Sequence, residues 1–197
     1  MGEGHDLSKH RTVVGQRVTM TPFFTGAWPT QTTTALRVMP REEDAARELL
    51  RSMSDDQRET AIFQADSLTQ HVTQNAVRVQ ALPAVGIAMS ALSAAQQAMM
   101  LEIIAAYLGT LPEAVTRPLL EVVKRDLGAS RFGWAGSLEP RRAQYYRWQI
   151  LEFDNSRNGG THIHSVWRDF ARDFGACDED FTELAGTAGH FEPRAGG

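Results

Sequence analysis

Residues 145–169, Tyr145-Tyr146-Arg147-Trp148-Gln149-Ile150-Leu151-Glu152-Phe153-Asp154-Asn155-Ser156-Arg157-Asn158-Gly159-Gly160-Thr161-His162-Ile163-His164-Ser165-Val166-Trp167-Arg168-Asp169, decide the fold. Tyr145 to Asn155 is aromatic and β-branched, and Thr161 to Asp169 alternates apolar with polar side chains, which is the period of a strand with one buried face. Between them stands Asn158-Gly159, the strongest short hairpin signal. The C-terminal part therefore reads as antiparallel sheet. Phe132-Gly133-Trp134-Ala135 supplies a further extended segment just upstream.

Working outward, Thr12-Val13-Val14 and Arg17-Val18-Thr19-Met20 flank Gly15-Gln16, a hairpin turn with Gly at its first central position. The segment from Thr21 to Thr34 reads as a loop whose rings Phe23, Phe24 and Trp28 cover an edge of the core. The middle of the chain is helical. After Pro40, Ala45, Ala46, Leu49, Leu50 and Met53 recur at helical spacing, with acidic Glu42, Glu43 and Asp44 at the N-terminus. Ser54-Asp55-Asp56-Gln57 is a capping box predicting a helix to about Ala65, and Ser93-Ala94-Ala95-Gln96 is a second one, ending at Gly109. A further helix starts near Thr110 to Glu113, is split or kinked by Pro118, and stops at Gly128. Residues 67–90 show no clear period. The fold class is α+β: an antiparallel sheet from the N- and C-terminal segments around a central group of helices. One domain covers 1–197, with strands and an aromatic loop in 1–38, helices in 41–127, strands in 131–170 and a disordered tail at 186–197.

Composition narrows the function classes. The 197 residues carry 20 Lys+Arg against 24 Asp+Glu, and with no basic run nucleic acid is disfavoured as a partner. The longest apolar stretch, near Ala84 to Leu92, falls short of the ~18 to 20 residues that span a bilayer, so no membrane partner is expected. No signal peptide opens the chain, which places it in the cytoplasm unless its true start lies upstream. Cys177 is the single cysteine, set among acids that disfavour its thiolate. No glycine-rich phosphate loop or nucleophile elbow is present.

The chemistry rests on histidine. In extended chain His162 and His164 lie on one face, roughly 6 to 7 Å apart along the strand, so two imidazoles can reach one ion. Neutral imidazoles suit zinc, copper or iron, completed by a third histidine or a carboxylate from elsewhere. A polar sheet face is the alternative for this pair. Glu152 and Asp154 read either as a solvated edge or as carboxylates beside the imidazoles, depending on register. With paired residue numbers summing to an even value such as 316, Asp154 opposes His162 and Glu152 opposes His164; an odd sum sets Phe153 and Asn155 there instead. Arg168 lies on the histidine face, where it can hold a substrate's carboxylate or phosphate, or pair with Asp169 or Asp173. Trp167 faces the core.

Several blocks resemble the bacterial domain of unknown function 3500 family: Gly4-His5-Asp6-Leu7-Ser8, Glu42-Glu43-Asp44, Phe132 to Pro140, Tyr145-Tyr146-Arg147, Glu152-Phe153-Asp154-Asn155 and His162 to Asp169. Members of that family are nearly twice this length, with a helical portion leading into a Gly-His-His-Leu-Ser motif. The resemblance thus implies a C-terminal portion only, a truncated and degenerate copy that also lacks a few residues around Trp148-Gln149. If the family's site is a metal centre built from the Gly-His-His and His-x-His motifs, His5, His162 and His164 match it. Asp6, at the second motif histidine, is then an alternative ligand, with Glu152 and Asp154 in support. Two functions compete: a metal-dependent enzyme, oxidoreductase or hydrolase, acting on a small molecule; and a metal-free interaction module or inactive remnant that self-associates.

Overall fold

The computed structural model describes residues 2–4, 6–14, 17–73, 76–149, 151–169 and 172–175. Eleven strands and four helices lie within them. In chain order they are β1 (Gly2–Gly4), β2 (Leu7–Lys9), β3 (Thr12–Val14), β4 (Arg17–Thr19), β5 (Phe23–Ala27), α1 (Pro40–Arg51), α2 (Asp55–Ala61), β6 (Ile62–Gln64), β7 (Ile87–Ala88), α3 (Ala94–Leu108), α4 (Glu113–Asp126), β8 (Arg131–Gly136), β9 (Gln144–Trp148), β10 (Leu151–Arg157) and β11 (His162–Trp167). One sheet runs in the order β1-β2-β5-β11-β10-β9-β8-β6, with β7 also on β8. Strands from both ends of the chain thus meet at the β5–β11 pair. The class is α+β, as the sequence indicates, but the sheet is mixed, because β6 pairs with β8 in parallel. No helix of the described residues is long and apolar enough to cross a membrane.

Alternation assigns the two faces. Phe153, Tyr146, Trp134 and Ile163 are fully buried in one core with Leu49 and Leu50 of α1 and Met100, Ile103 and Ile104 of α3. A phenol chain ties the layers together: the Tyr107 and Tyr146 hydroxyls lie 2.9 Å apart, and Tyr146 donates to the Glu42 carbonyl at 2.8 Å. Buried Arg47 of α1 reaches Glu43, Asp44 and Gln144 of β9 at 2.9, 3.0 and 2.8 Å. Because Phe153 points to this core, Glu152 and Asp154 must point to the other face. Trp167 packs against the core side, as its alternation predicts.

Both capping boxes form, at Ser54 and Ser93, and each starts its helix where the sequence places it. Five expectations change. The segment from Thr21 to Thr34 is not all loop, since Phe23–Ala27 is β5, an inner strand between β2 and β11. The α2 helix stops at Ala61 rather than Ala65, because the chain turns into β6. Pro118 sits inside a continuous α4 and does not split it. Tyr145 to Asn155 holds parts of two antiparallel strands rather than one, since Leu151 pairs with Trp148. Finally, Trp28 is 60% exposed and covers no core edge. The strands β3 and β4 pair as the hairpin reading requires, while the Gly15-Gln16 turn itself lies outside the described residues. So do Cys177 and the tail at 186–197.

Candidate metal centre and cleft

The register of β10 on β11 is even, with a sum of 318 rather than 316. Asp154 opposes His164 and Glu152 opposes Val166, and past a bulge Arg157 opposes His162. Asp154, His162 and His164 thus share the face turned away from the helices. The two imidazoles are neighbours, with ring centroids 4.4 Å apart.

Asp6, in the turn between β1 and β2, completes the group. Its Oδ1 lies 3.5 Å from His162 Nε2 and 3.7 Å from His164 Nε2, and the three ligand atoms all fall within 4.8 Å of one another. A tetrahedral ion about 2.1 Å from each ligand would space them about 3.4 Å apart, so these side chains need little rearrangement to hold one. Backbone contacts fix the geometry. Gly26 N donates to the Asp6 carbonyl at 2.7 Å, and Gly26 is paired with His164 across β5 and β11. A β-carbon at Gly26 would lie 2.7 Å from Ile163 O, 2.9 Å from His164 Cδ2 and 3.2 Å from Asp6 Oδ1. Only glycine lets strand, imidazole and carboxylate approach this closely. Aromatic rings enclose the rest, with Trp28 stacked on His162 and Phe24 tilted against His164, at 5.6 and 5.2 Å.

Burial, reinforced by the nearby His162, His71 and Arg157 charges, holds the His164 imidazole down at about 4. It is therefore neutral near pH 7, the form that ligates metal. Burial likewise lowers His71 and raises Asp154, whose carboxyl is otherwise eased by the Ser156 N–H at 2.9 Å.

A cleft of about 560 Å³ opens beside the cluster, walled by His10, His71, Asp154, Arg157, His164 and Arg168 among others. That volume suits a small molecule. On one side His71 and Ala76 belong to a strap, described at residues 71–73 and Ala76, that is fastened to the sheet at two points. Fully buried Glu152 accepts from Val72 N at 2.6 Å, Thr73 N at 2.9 Å, Thr73 Oγ1 at 2.5 Å and Tyr145 Oη at 2.7 Å. Arg168 donates to Ala76 O and to Asp173 Oδ2, both at 2.6 Å.

The structure thus brings together His162, His164 and Asp6. It places Asp154 beside them in the cleft wall and gives Glu152 to the strap. Arg168 lines the cleft, but its guanidinium is engaged by Asp173, one of the two alternatives the sequence offers. His5 lies outside the described residues. Three residues carry no sequence signal of their own: His71, in a stretch without a period; Gly26, whose role depends on pairing; and Arg157, whose facing depends on a bulge. His71 Nε2 sits 3.2 Å from the His164 carbonyl.

No curated protein and no solved structure matches the chain. A family model matches residues 2–176, nearly the whole chain rather than a C-terminal portion alone, and this lends no support to a truncated copy. On that match the chain belongs to the family described as Protein of unknown function (DUF3500).

Proposed function

We propose that this protein is a metal-dependent enzyme acting on a small molecule held in the cleft, with Asp6, His162 and His164 as the ligands of one divalent transition ion. The observation that carries the reading is the convergence of one carboxylate and two imidazoles from opposite ends of the chain, one of which, His164, also lines the cleft. Two histidines and a carboxylate form a donor set that suits zinc or iron(II), and the hard carboxylate oxygen disfavours copper(I). When bound, the ion supplies Lewis-acid polarisation of a substrate oxygen. The chain's own groups do the rest. Asp154 and His71, pushed by burial toward their neutral forms, are placed to hold or release a proton at the cleft wall. The strap and the rings of Trp28 and Phe24 limit access of water.

Elemental analysis and zinc titration of the chelator-washed protein test this reading. About one equivalent should bind, and His162→Ala or Asp6→Asn should weaken it by more than the roughly 10- to 100-fold typical of an outer-shell partner. No uptake after reconstitution, or unchanged uptake in His162→Ala, refutes it. A second reading, a metal-free interaction module, is favoured by the exposed Trp28, Leu36 and Val38. It requires self-association on sizing that substitution of Leu36 by Ser abolishes.

A further inference from the structure

The cleft also indicates what kind of molecule it takes. Arg157 is three residues beyond Asp154 on β10, so in a regular strand the two would face opposite sides. The bulge between them reverses the parity: Arg157 pairs with His162, and its side chain joins Asp154 and His164 in lining the cleft. Bulges recur where a side chain must be re-aimed next to a site. What the bulge delivers is a guanidinium that forms no hydrogen bond or ion pair through its side chain among the described residues. The other arginine of the cleft, Arg168, is already held by Asp173 and Ala76.

Beyond His164 the cleft lining includes the apolar Pro22, Phe24, Val166 and Phe174. We infer that the cleft binds a small organic acid, its carboxylate held at the mouth by Arg157 and its apolar body lying against Phe24, Val166 and Phe174. A planar carboxylate matches the guanidinium fork bidentately. A phosphate dianion would set its second charge toward Asp154, which favours one negative charge over two. This inference rests on the cleft being the substrate side of the metal centre, and it names the substrate class.

Calorimetric titration with benzoate, benzamide and inorganic phosphate tests it, on both chelator-washed and zinc-loaded protein. Benzoate should bind at least about tenfold more tightly than its neutral isostere benzamide or than phosphate. Arg157→Gln should weaken benzoate about 10- to 100-fold, the loss of a charge-assisted pair. Arg125→Gln, an exposed α4 control, should change nothing. Equal affinity for benzoate and benzamide, preference for phosphate, indifference to Arg157→Gln, or no binding of any probe up to its solubility overturns the inference. Arg157-dependent benzoate binding in a protein that takes up no zinc would sink the metal reading and leave this one standing. Zinc uptake without selective benzoate binding would do the reverse.

Discussion

Glu152→Gln tests how the cleft is built. The Glu152 carboxylate is fully buried, and all four of its neighbours are donors: two backbone N–H groups and two hydroxyls. A glutamine must put an NH₂ where one oxygen stood. Placed at Oε1, it meets Thr73 N–H and Thr73 Oγ1; placed at Oε2, it meets Val72 N–H and Tyr145 Oη. In either orientation the hydroxyl can reverse its role and accept, but the backbone N–H cannot, so one buried donor loses its partner. That costs about 1–3 kcal/mol, and the surviving bonds lose their charge assistance. A total of about 3 kcal/mol follows, and for a chain of this size about 2–4 °C of Tm accompanies each kcal/mol. Glu152→Gln should therefore lower Tm by about 6–12 °C. Hydrogen exchange should localise the effect, with faster exchange at Val72 and Thr73 and little change in α3. A melting temperature within about 1 °C of the parent, with unchanged exchange in the strap, would refute the account of Glu152 as its anchor.

Other perturbations address the centre and its supports. Gly26→Ala should lower zinc affinity by about 10- to 100-fold, as displacement of an oriented ligand does, while leaving α-helical content unchanged; undiminished affinity would show that the close approach is not needed. His71 and His164 have pKa values depressed below 6.5 in the fold, so both bind more protons when unfolded, and stability must fall as pH drops from about 6.5 toward 4. Asp154, raised in the fold by burial, acts in the opposite sense, one carboxyl against two imidazoles. The metal-free protein should thus melt lower at pH 5 than at pH 7, with a shallower slope in His164→Gln, and a flat profile would contradict the burial described. Arg47→Ala leaves buried Glu43 and Gln144 without their shared partner and should cost about 3 kcal/mol or more in chemical denaturation. A loss under about 1 kcal/mol would mean that Arg37 alone satisfies the acids.

Features encoded within a few residues were legible in the sequence. Ser54 and Ser93 announce their helices because both partners of a capping box lie within one turn. The Asn158-Gly159 turn and the alternation of His162 to Trp167 likewise need no distant partner. The misread elements are those whose conformation is decided elsewhere in the chain. Phe23–Ala27, with Gly26 and flanking prolines, has a loop's composition, and pairing with both β2 and β11 makes it a strand. The reversal between Trp148 and Leu151 hides in an aromatic run with neither Gly nor Pro to mark it. Pro118 lies on a helix that packing keeps continuous. At the site, His162 and His164 could be named from a local motif and Asp6 from the family resemblance, but whether Asp154 or Glu152 joins them depends on the register, and the bulge that re-aims Arg157 leaves no mark in the composition. His71 is brought in by the grip of Glu152 on Val72 and Thr73 and by its own contact with the His164 carbonyl.

The distribution of buried charge separates what folds this chain from what it is for. One face of the sheet is packed on α1 and α3 with aromatic and aliphatic side chains, and that burial explains the stability of the domain. The opposite face carries Glu152, Asp154, His162 and Arg168, each between 0% and 6% exposed, on β10, β11 and the residue just after β11. Burying such groups costs free energy that pairing only partly offsets, and a well-packed apolar set in their place is commonly neutral or stabilising. Stability alone therefore gives no reason for a polar second face under a strap. Two of these residues, Glu152 and Arg168, hold the strap down; Asp154 lines the cleft, and His162 stands beside Asp6, His164 and Arg157. The strap thus has its own anchors, separate from the candidate metal ligands. That division of labour is what a binding or catalytic cleft requires, and it is why the proposed function is placed on the second face rather than in the helical core.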